Sequence, residues 1–271
     1  MPHTQEEILL FAEDIAKQAG RLLLDKLRAE RTIDTKDTVT DLVTDADRAA
    51  EALLVDEIER RFPSHSILGE EGTRAQASTT QDGYVWVLDP LDGTVNYTHQ
   101  LPMFAVSVGV LLNGAPLVGV VYLPVLDECF CASRGQGTTL NGQRVHVSTR
   151  PTLRQSVLAT GFSYDKHLTH QDNVSNVGRF IKEVRGLRRM GSASIDLAYV
   201  SCGRLDGYWE EKLKPWDVAA GVLLVEEAGG VVTNYHNRPF ELDEGRIVAS
   251  NPLIHSPMID QLKPYVQEHA L

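Results

Sequence analysis

Acidic residues stand in this chain where strands end and helices begin, at positions from which carboxylates can meet in a crevice. Asp89-Pro90-Leu91-Asp92-Gly93-Thr94 follows directly on the apolar run Tyr84 to Leu88. Gly69-Glu70-Glu71-Gly72 follows Ser66 to Leu68, and Trp216-Asp217 opens an apolar helical stretch. Asp41-Leu42-Val43-Thr44-Asp45-Ala46-Asp47 stands at another helix start. Each has an ordinary explanation. An Asp at a helix start is usually a cap, which accounts for Asp45, Asp47 and Asp217 one at a time. Asp-Gly is a common turn dipeptide, and Glu-Glu between glycines reads as a solvated turn. The Asp-x-x-Asp spacing resists that account, because it follows a buried strand without a break.

Bringing several carboxylates together is costly. At about 4 Å and an effective dielectric near 20, each like-charged pair costs about 4 kcal/mol. A divalent cation reverses that sign. Oxygen donors without His or Cys suit Mg²⁺, which keeps part of its water shell, better than Zn²⁺. Gly93-Thr94 adds an anion seat, since a helix or turn opening there aims free backbone N–H groups outward. Cations beside such a seat point to phosphoryl transfer, in which two ions about 3.5–4 Å apart clamp the attacking and leaving oxygens. Thr94 then orients a water, with an acid such as Asp47 accepting its proton.

Other constellations carry less. His167-x-x-His170 lies in a polar stretch without a third partner and reads as two surface histidines. Cys129-x-Cys131 alternates along a strand, so both thiols share one face; it reads as packing. Gly135-x-Gly137 lacks the third glycine of a dinucleotide fingerprint, and no Walker lysine follows a glycine-rich loop. No Gly-x-Ser-x-Gly elbow occurs.

The elements that must hold the acids are legible from periodicity. Thr4 and Glu7 make a capping box, and Ile8, Phe11, Ala12, Ile15, Ala16, Ala19, Leu22, Leu23 and Leu27 follow at helical spacing. A second helix is predicted from about Asp45 to Arg61. Tyr84 to Leu88 reads as a buried strand stopped by Asp89-Pro90. Phe104 to Leu112 and Pro116 to Leu123 flank Asn113-Gly114 as a hairpin, and Glu128 to Ala132 with Asn141-Gly142 extends it. Further on, the pattern predicts strands at Val157 to Thr160, Leu205 to Trp209, Val231 to Asn234 and Ile247 to Ala249. Helices are predicted at about Gln171 to Val184, Ile195 to Cys202, Val218 to Ala228 and Pro257 to Val266. The alternation has no regular βαβ rhythm, so it fits a layered α+β sandwich better than a doubly wound parallel sheet.

Composition bounds the rest. The chain has 271 residues, 42 % of them hydrophobic, with 26 Lys+Arg against 37 Asp+Glu for a net charge of −11. That apolar fraction excludes intrinsic disorder. The acidity argues against nucleic-acid partners and anionic membranes, which need a basic face. No apolar run approaches the roughly 18 residues of a membrane span. No leader is evident at the N-terminus, and Cys129, Cys131 and Cys202 are too few for a disulfide framework. A cytoplasmic protein acting on a small molecule is the expectation.

Together the motifs resemble the inositol monophosphatases. The residues that carry this are Trp86-Val87-Leu88-Asp89-Pro90-Leu91-Asp92-Gly93-Thr94-Val95-Asn96-Tyr97 and Pro215-Trp216-Asp217-Val218-Ala219-Ala220-Gly221, the latter leading to Glu227-Ala228-Gly229-Gly230. Gly69-Glu70-Glu71, Asp41-Leu42-Val43-Thr44-x-x-Asp47 and Arg188-Arg189-Met190-Gly191-Ser192-Ala193 occur in the expected order. The resemblance implies an αβαβα sandwich, shared with the fructose-1,6-bisphosphatases, formed as one catalytic unit over 1–271 with parts at about 1–150 and 151–271. It implies a lithium-sensitive phosphomonoesterase using two or three Mg²⁺ ions, and a homodimer. By resemblance, Glu70, Asp89 and the Leu91 carbonyl hold one ion. Asp89, Asp92 and Asp217 hold a second, and a third leans on Glu70. Thr94 and Asp47 activate water, and the Gly93 and Thr94 amides bind phosphate. Asp92, Ala193 and Glu210 face the inositol hydroxyls beside Gly191 and Ser192, with Lys36 and Glu71 as supports.

Departures are small. Leu91 stands where the family often has Ile, Tyr97 where it has Phe, and Ser194 where Ala is common. Relatives with the same acids hydrolyse histidinol phosphate, fructose 1,6-bisphosphate or 3′-phosphoadenosine 5′-phosphate. A bisphosphate needs an added cationic site, which Arg188 or Arg189 can supply. Glu210 favours a neutral polyol. A regulatory subunit without activity predicts a lost ligand, and Glu70, Asp89, Asp92, Thr94 and Asp217 are all present.

Overall fold

Thr4 Oγ1 accepts from the Glu7 amide at 3.1 Å, and helix α1 (Gln5–Leu27) starts there. The computed structural model describes residues 3–27, 33–35, 42–72 and 77–268. Ile8, Ala12, Ile15, Ala16, Ala19 and Leu23 form the buried stripe of α1, at the spacing of an amphipathic helix. Strands β1 (Ile33–Thr35) and β2 (Leu42–Thr44) pair antiparallel and lead into α2 (Asp45–Arg61). The N-cap of α2 is Thr44, whose side chain accepts the Ala46 and Asp47 amides, and Asp47 closes the capping box. Asp45, expected as a cap, instead pairs with Lys26 at 2.6 Å.

A seven-stranded sheet follows in sequence order. Its strands are β3 (Ser66–Gly69), β4 (Tyr84–Asp92), β5 (Ala105–Leu112), β6 (Ala115–Leu123), β7 (Glu128–Ser133), β8 (Gly137–Leu140) and β9 (Gln143–Val145). Only the β3–β4 pair is parallel. Both Asn-Gly turns form as expected, with Asn113, Gly114, Asn141 and Gly142 all left-handed. A short helix, α3 (Thr94–Thr98), leaves the end of β4.

The second sheet has the order β11-β10-β12-β14-β13. It comprises β10 (Val157–Thr160), β11 (Gly186–Arg188), β12 (Gly207–Glu210), β13 (Val231–Thr233) and β14 (Ile247–Ser250). The remaining helices are α4 (Val174–Phe180), α5 (Ala193–Ser201), α6 (Pro215–Glu227) and α7 (Pro252–Glu268).

The layers run α1 and α2, the large sheet, α5 and α6, the small sheet, then α4 and α7. One core lies under α1 and α2 around Ile15, Leu54, Trp86 and Val120; a second fills the space between the sheets around Phe130, Leu197, Val218 and Leu224. The third joins Phe180, Trp209, Val248 and Met258 beneath the outer helices. This is the αβαβα sandwich. Helix α6 lies tight on the large sheet because Gly119 has no side chain; a Cβ there would come 2.6 Å from the Ala220 carbonyl oxygen. No helix among the described residues is long and apolar enough to cross a membrane.

Several boundaries differ from the sequence pattern, and three of them have a clear local reason. Strand β4 does not stop at Asp89-Pro90 but continues to Asp92 through a bulge. Helix α4 begins only at Val174, because left-handed Asn173 uses its buried side chain to bind Thr160 Oγ1 and the Gly161 carbonyl, each at 2.8 Å. Helix α7 begins at Pro252, five residues before Pro257, where Asn251 Oδ1 accepts the Leu253 amide at 2.9 Å and proline fits the first helical position.

Candidate active site

In an unbroken strand, residues three apart point to opposite faces. Asp89 pairs with Ser107 and Asp92 with Ala105, so three steps on β4 oppose two on β5. That extra residue is a bulge, which re-aims side chains; Asp89 and Asp92 line the same cleft. Asp89 is 2 % exposed, and its Oδ1 accepts the Leu91 amide at 3.1 Å. Glu70 arrives beside it because its amide donates to the Leu88 carbonyl at 3.2 Å, continuing the parallel pairing by one rung. Helix α6 brings Asp217, whose Oδ2 accepts the Lys214 amide at 2.7 Å. Asp217 is therefore a cap and a wall of the cleft at once.

The gathered acids oppose one another's ionisation. Burial, then Glu70, Asp92 and Asp217, push Asp89 well above the usual carboxylate range. Asp217 is pushed up by burial and then by Asp92 and Glu70. Asp92 is also raised by burial, although Ser192 Oγ and the Ser194 amide donate to its Oδ2, each at 2.7 Å. An all-oxygen donor set that ionises reluctantly by itself fits a hard divalent cation, which would supply the missing positive charge. Glu70, Asp89, Leu91, Asp92, Gly93, Thr94 and Asp217 all line this compartment, whose volume is ≈ 330 Å³.

Thr94 and Asp47 meet across the two helix starts. Thr94 Oγ1 lies 3.1 Å from Asp47 Oδ1 and 3.1 Å from the Leu91 carbonyl oxygen, so its one proton serves either acceptor. Asp47 is fully buried, and its Oδ2 accepts from the Thr44 amide at 2.8 Å and the Thr44 hydroxyl at 2.5 Å. Gly93 is the N-cap of α3 with φ of 100°, and a Cβ there would come 2.9 Å from the Met103 carbonyl oxygen. No side chain caps α3. Asn96 ties it across the cleft, donating to the carbonyls of Met103 at 2.6 Å and Met190 at 2.8 Å.

A second compartment adjoins the first, sharing Asp92, Tyr164, Lys212 and Asp217 as walls. Arg189, Gly191, Ser192, Ala193 and Glu210 are among its other walls. Tyr208 donates to Glu210 Oε2 at 2.6 Å, yet burial pushes the Glu210 carboxyl up to about 7. Gly161 makes room for it, since a Cβ there would lie 2.1 Å from the Glu210 carboxylate. Both adjacent arginines are exposed, and of the two Arg189 lines this compartment.

Sequence reasoning did not single out several residues that the fold adds. Asp196 is buried on α5, with Oδ1 lacking a hydrogen-bond partner, and is pushed up by burial and then by Glu210 and Asp92. Its signal was an acid inside an otherwise apolar helix. Glu51, one turn after Asp47 on α2, is 1 % exposed and accepts the Glu71 amide at 2.7 Å. It thereby fixes the backbone next to Glu70. Lys212, at a φ of 61°, pairs with Asp165 at 2.8 Å, and nothing in its sequence neighbourhood marked it. The supporting role expected for Lys36 lies outside the described residues. His167 and His170 are exposed, and Cys129 and Cys131 pack under α1, away from both compartments.

The model of the "Inositol monophosphatase family" matches residues 4–269. The inositol-1-monophosphatase of Synechocystis sp. is 42 % identical over 261 residues, spanning 96 % of this chain and 90 % of that protein. The Nus factor SuhB of Escherichia coli (strain K12) is 41 % identical over 257 residues, spanning 94 % and 96 %. Among solved structures, an inositol monophosphatase from Anabaena (Nostoc) sp. superposes with a TM-score of 0.87 at 43 % identity, covering 96 % of each chain.

Proposed function

Because the chain belongs to the inositol monophosphatase family, we propose that it is a Mg²⁺-dependent phosphomonoesterase releasing phosphate and inositol from myo-inositol monophosphate. The observation that supports this most is the junction at Asp92. There the acidic compartment opens into one lined by Glu210, Arg189 and the small Ala193. An ester can thus lay its phosphate against the acids and its polyol ring against Glu210. We read 1–271 as one catalytic unit, since both its earlier and later parts line this cleft.

Glu70, Asp89 and the Leu91 carbonyl would hold one cation; Asp89, Asp92 and Asp217 would hold a second, with a third against Glu70. When bound, Mg²⁺ neutralises charge on the phosphoryl oxygens and acidifies a water. The chain's own residues do the rest. Thr94 Oγ1 accepts a proton from an incoming water while handing its own to Asp47 Oδ1. The Thr44 contacts on Oδ2 hold that carboxylate at the required angle. Ser192 and Ser194 fix Asp92 so that its remaining oxygen edge faces the cleft. Glu210, held by Tyr208, meets ring hydroxyls as acceptor or donor according to its protonation. A second phosphate on the ring side would meet Glu210, which disfavours bisphosphates.

Phosphate release from inositol 1-phosphate, histidinol phosphate, fructose 1,6-bisphosphate and 3′-phosphoadenosine 5′-phosphate, with Mg²⁺ and with chelator, tests the reading. The expected result is fastest turnover of the inositol ester, loss on chelation, and inhibition by Li⁺. A bisphosphate turned over fastest overturns the substrate assignment. No release from any ester with Mg²⁺ overturns the activity. Light scattering checks the homodimer that the family reading carries.

A further inference from the structure

We propose that Glu13, Cys129 and Cys131 form a second metal site, distinct from the acidic cleft, that binds a thiophilic divalent cation of the zinc class. Cys129 and Cys131 stand two apart on β7, so their side chains leave the same face. Their Sγ atoms are 3.6 Å apart. Two thiolates at about 2.3 Å from one tetrahedral ion stand about 3.8 Å from each other. The pair is thus spaced for one ion without rearrangement. Strand β7 is paired on both sides, with β6 and β8, which holds that spacing in the ladder.

Helix α1 supplies the third donor. A Glu13 carboxylate oxygen and both sulfur atoms lie within 4.8 Å of one another. One turn on, Lys17 Nζ donates to Glu13 Oε1 at 2.6 Å. A divalent ion with two thiolates and one carboxylate carries a net charge of minus one, and Lys17 balances it. Such a partner also orients the ligating carboxylate. Both sulfurs are buried, whereas the Glu13 side chain is 31 % exposed, giving the ion an entry beside α1 and leaving a fourth position for water. Packing accounts for two small thiols in this core but not for a carboxylate held over them by a lysine. Two sulfurs and one oxygen also select against the hard ions suited to the cleft. The thiols must lose protons to ligate, so loading weakens as pH falls.

Titration with Co²⁺ tests the site, using the full chain with reduced thiols and saturating Mg²⁺. One equivalent is expected to give a thiolate-to-cobalt charge-transfer band with the intense visible bands of four-coordinate Co²⁺, both erased by Zn²⁺. Carboxylate sites give no such band, so the test is independent of the phosphatase reading. Cys131→Ser should abolish the band, and Lys17→Met should weaken affinity by about 10–100-fold, with phosphate release in Mg²⁺ unchanged in both. Absence of the band with both thiols reduced overturns the site, as does an unaltered band in Cys131→Ser. Should that variant fail to fold, Glu13→Gln on the half-exposed helix face decides, and unchanged Co²⁺ affinity there overturns the three-ligand assignment.

Discussion

Replacing Glu210 by Gln should stabilise the metal-free protein at neutral pH while impairing substrate binding. Its carboxyl rises from an ordinary 4.5 to about 7 in the fold, chiefly through burial. The folded state therefore keeps a proton that the unfolded chain has lost across this interval, and stability falls as pH climbs from 4.5 to about 7. At about 1.4 kcal/mol per pKa unit, ionised Glu210 costs the fold about 3 kcal/mol above that range. Gln removes this cost but weakens the Tyr208 hydrogen bond, which gives back about 1 kcal/mol. The variant should then be more stable by about 2 kcal/mol at pH above 7, on the order of 5 °C in Tm. At pH 4.5 and below, where Glu210 is neutral, only the weakened hydrogen bond remains, and the offset should reverse to a deficit of about 1 kcal/mol. Thermal unfolding of both proteins in chelator, followed across this pH range, measures the offset. An offset that does not vary with pH, or a variant less stable at alkaline pH, refutes the reasoning. In Mg²⁺, loss of one charged contact to a ring hydroxyl should raise KM about tenfold.

At saturating Mg²⁺, Thr94→Ala should lower phosphate release by about 10²–10⁴-fold, the range for one proton-transfer group. Asp89→Asn and Asp217→Asn should each cost more, because they remove charge at the cation positions; Asp89→Asn near wild type would discard the mechanism. Gly161→Ala places a Cβ 2.1 Å from the Glu210 carboxylate and must displace it. It should raise KM about tenfold, with the Mg²⁺ concentration for half-activation unchanged in steady-state kinetics.

Where one periodicity governs a segment, its element was legible. Helix α2 and strand β10 form over the residues expected, and both Asn-Gly hairpins close. Boundaries slipped where a side chain far away in sequence decides them, as Asn173 does for α4. Strand β11 is too short, with only Gly186–Arg188, to leave a pattern. In α5 every residue is buried, so no polar face marks its orientation, and Asp196 reads locally as just another helical acid. Local rules assigned Asp47 and Asp217 to helix caps. Both do cap; Asp217 also lines the cleft, and Asp47 uses its second oxygen to accept from Thr94, which lines it. Residue patterns alone do not convey the meeting of Glu70, Asp92 and Glu210, which the family resemblance supplied, nor the arrival of Lys212, which neither conveyed; it depends on how the two sheets stack around α6.

The carbonyl of Leu91 sits inside the bulge of β4, turned toward Thr94 rather than consumed by a neighbouring strand. Exchanging the leucine for another apolar residue leaves that main-chain oxygen in place, so single-codon changes at 91 cannot delete it. Gaining or losing a residue between Asp89 and Asp92 would. This corner of the cleft is therefore written in chain length, and alignments of related sequences should tolerate varied letters at 91 but no gap.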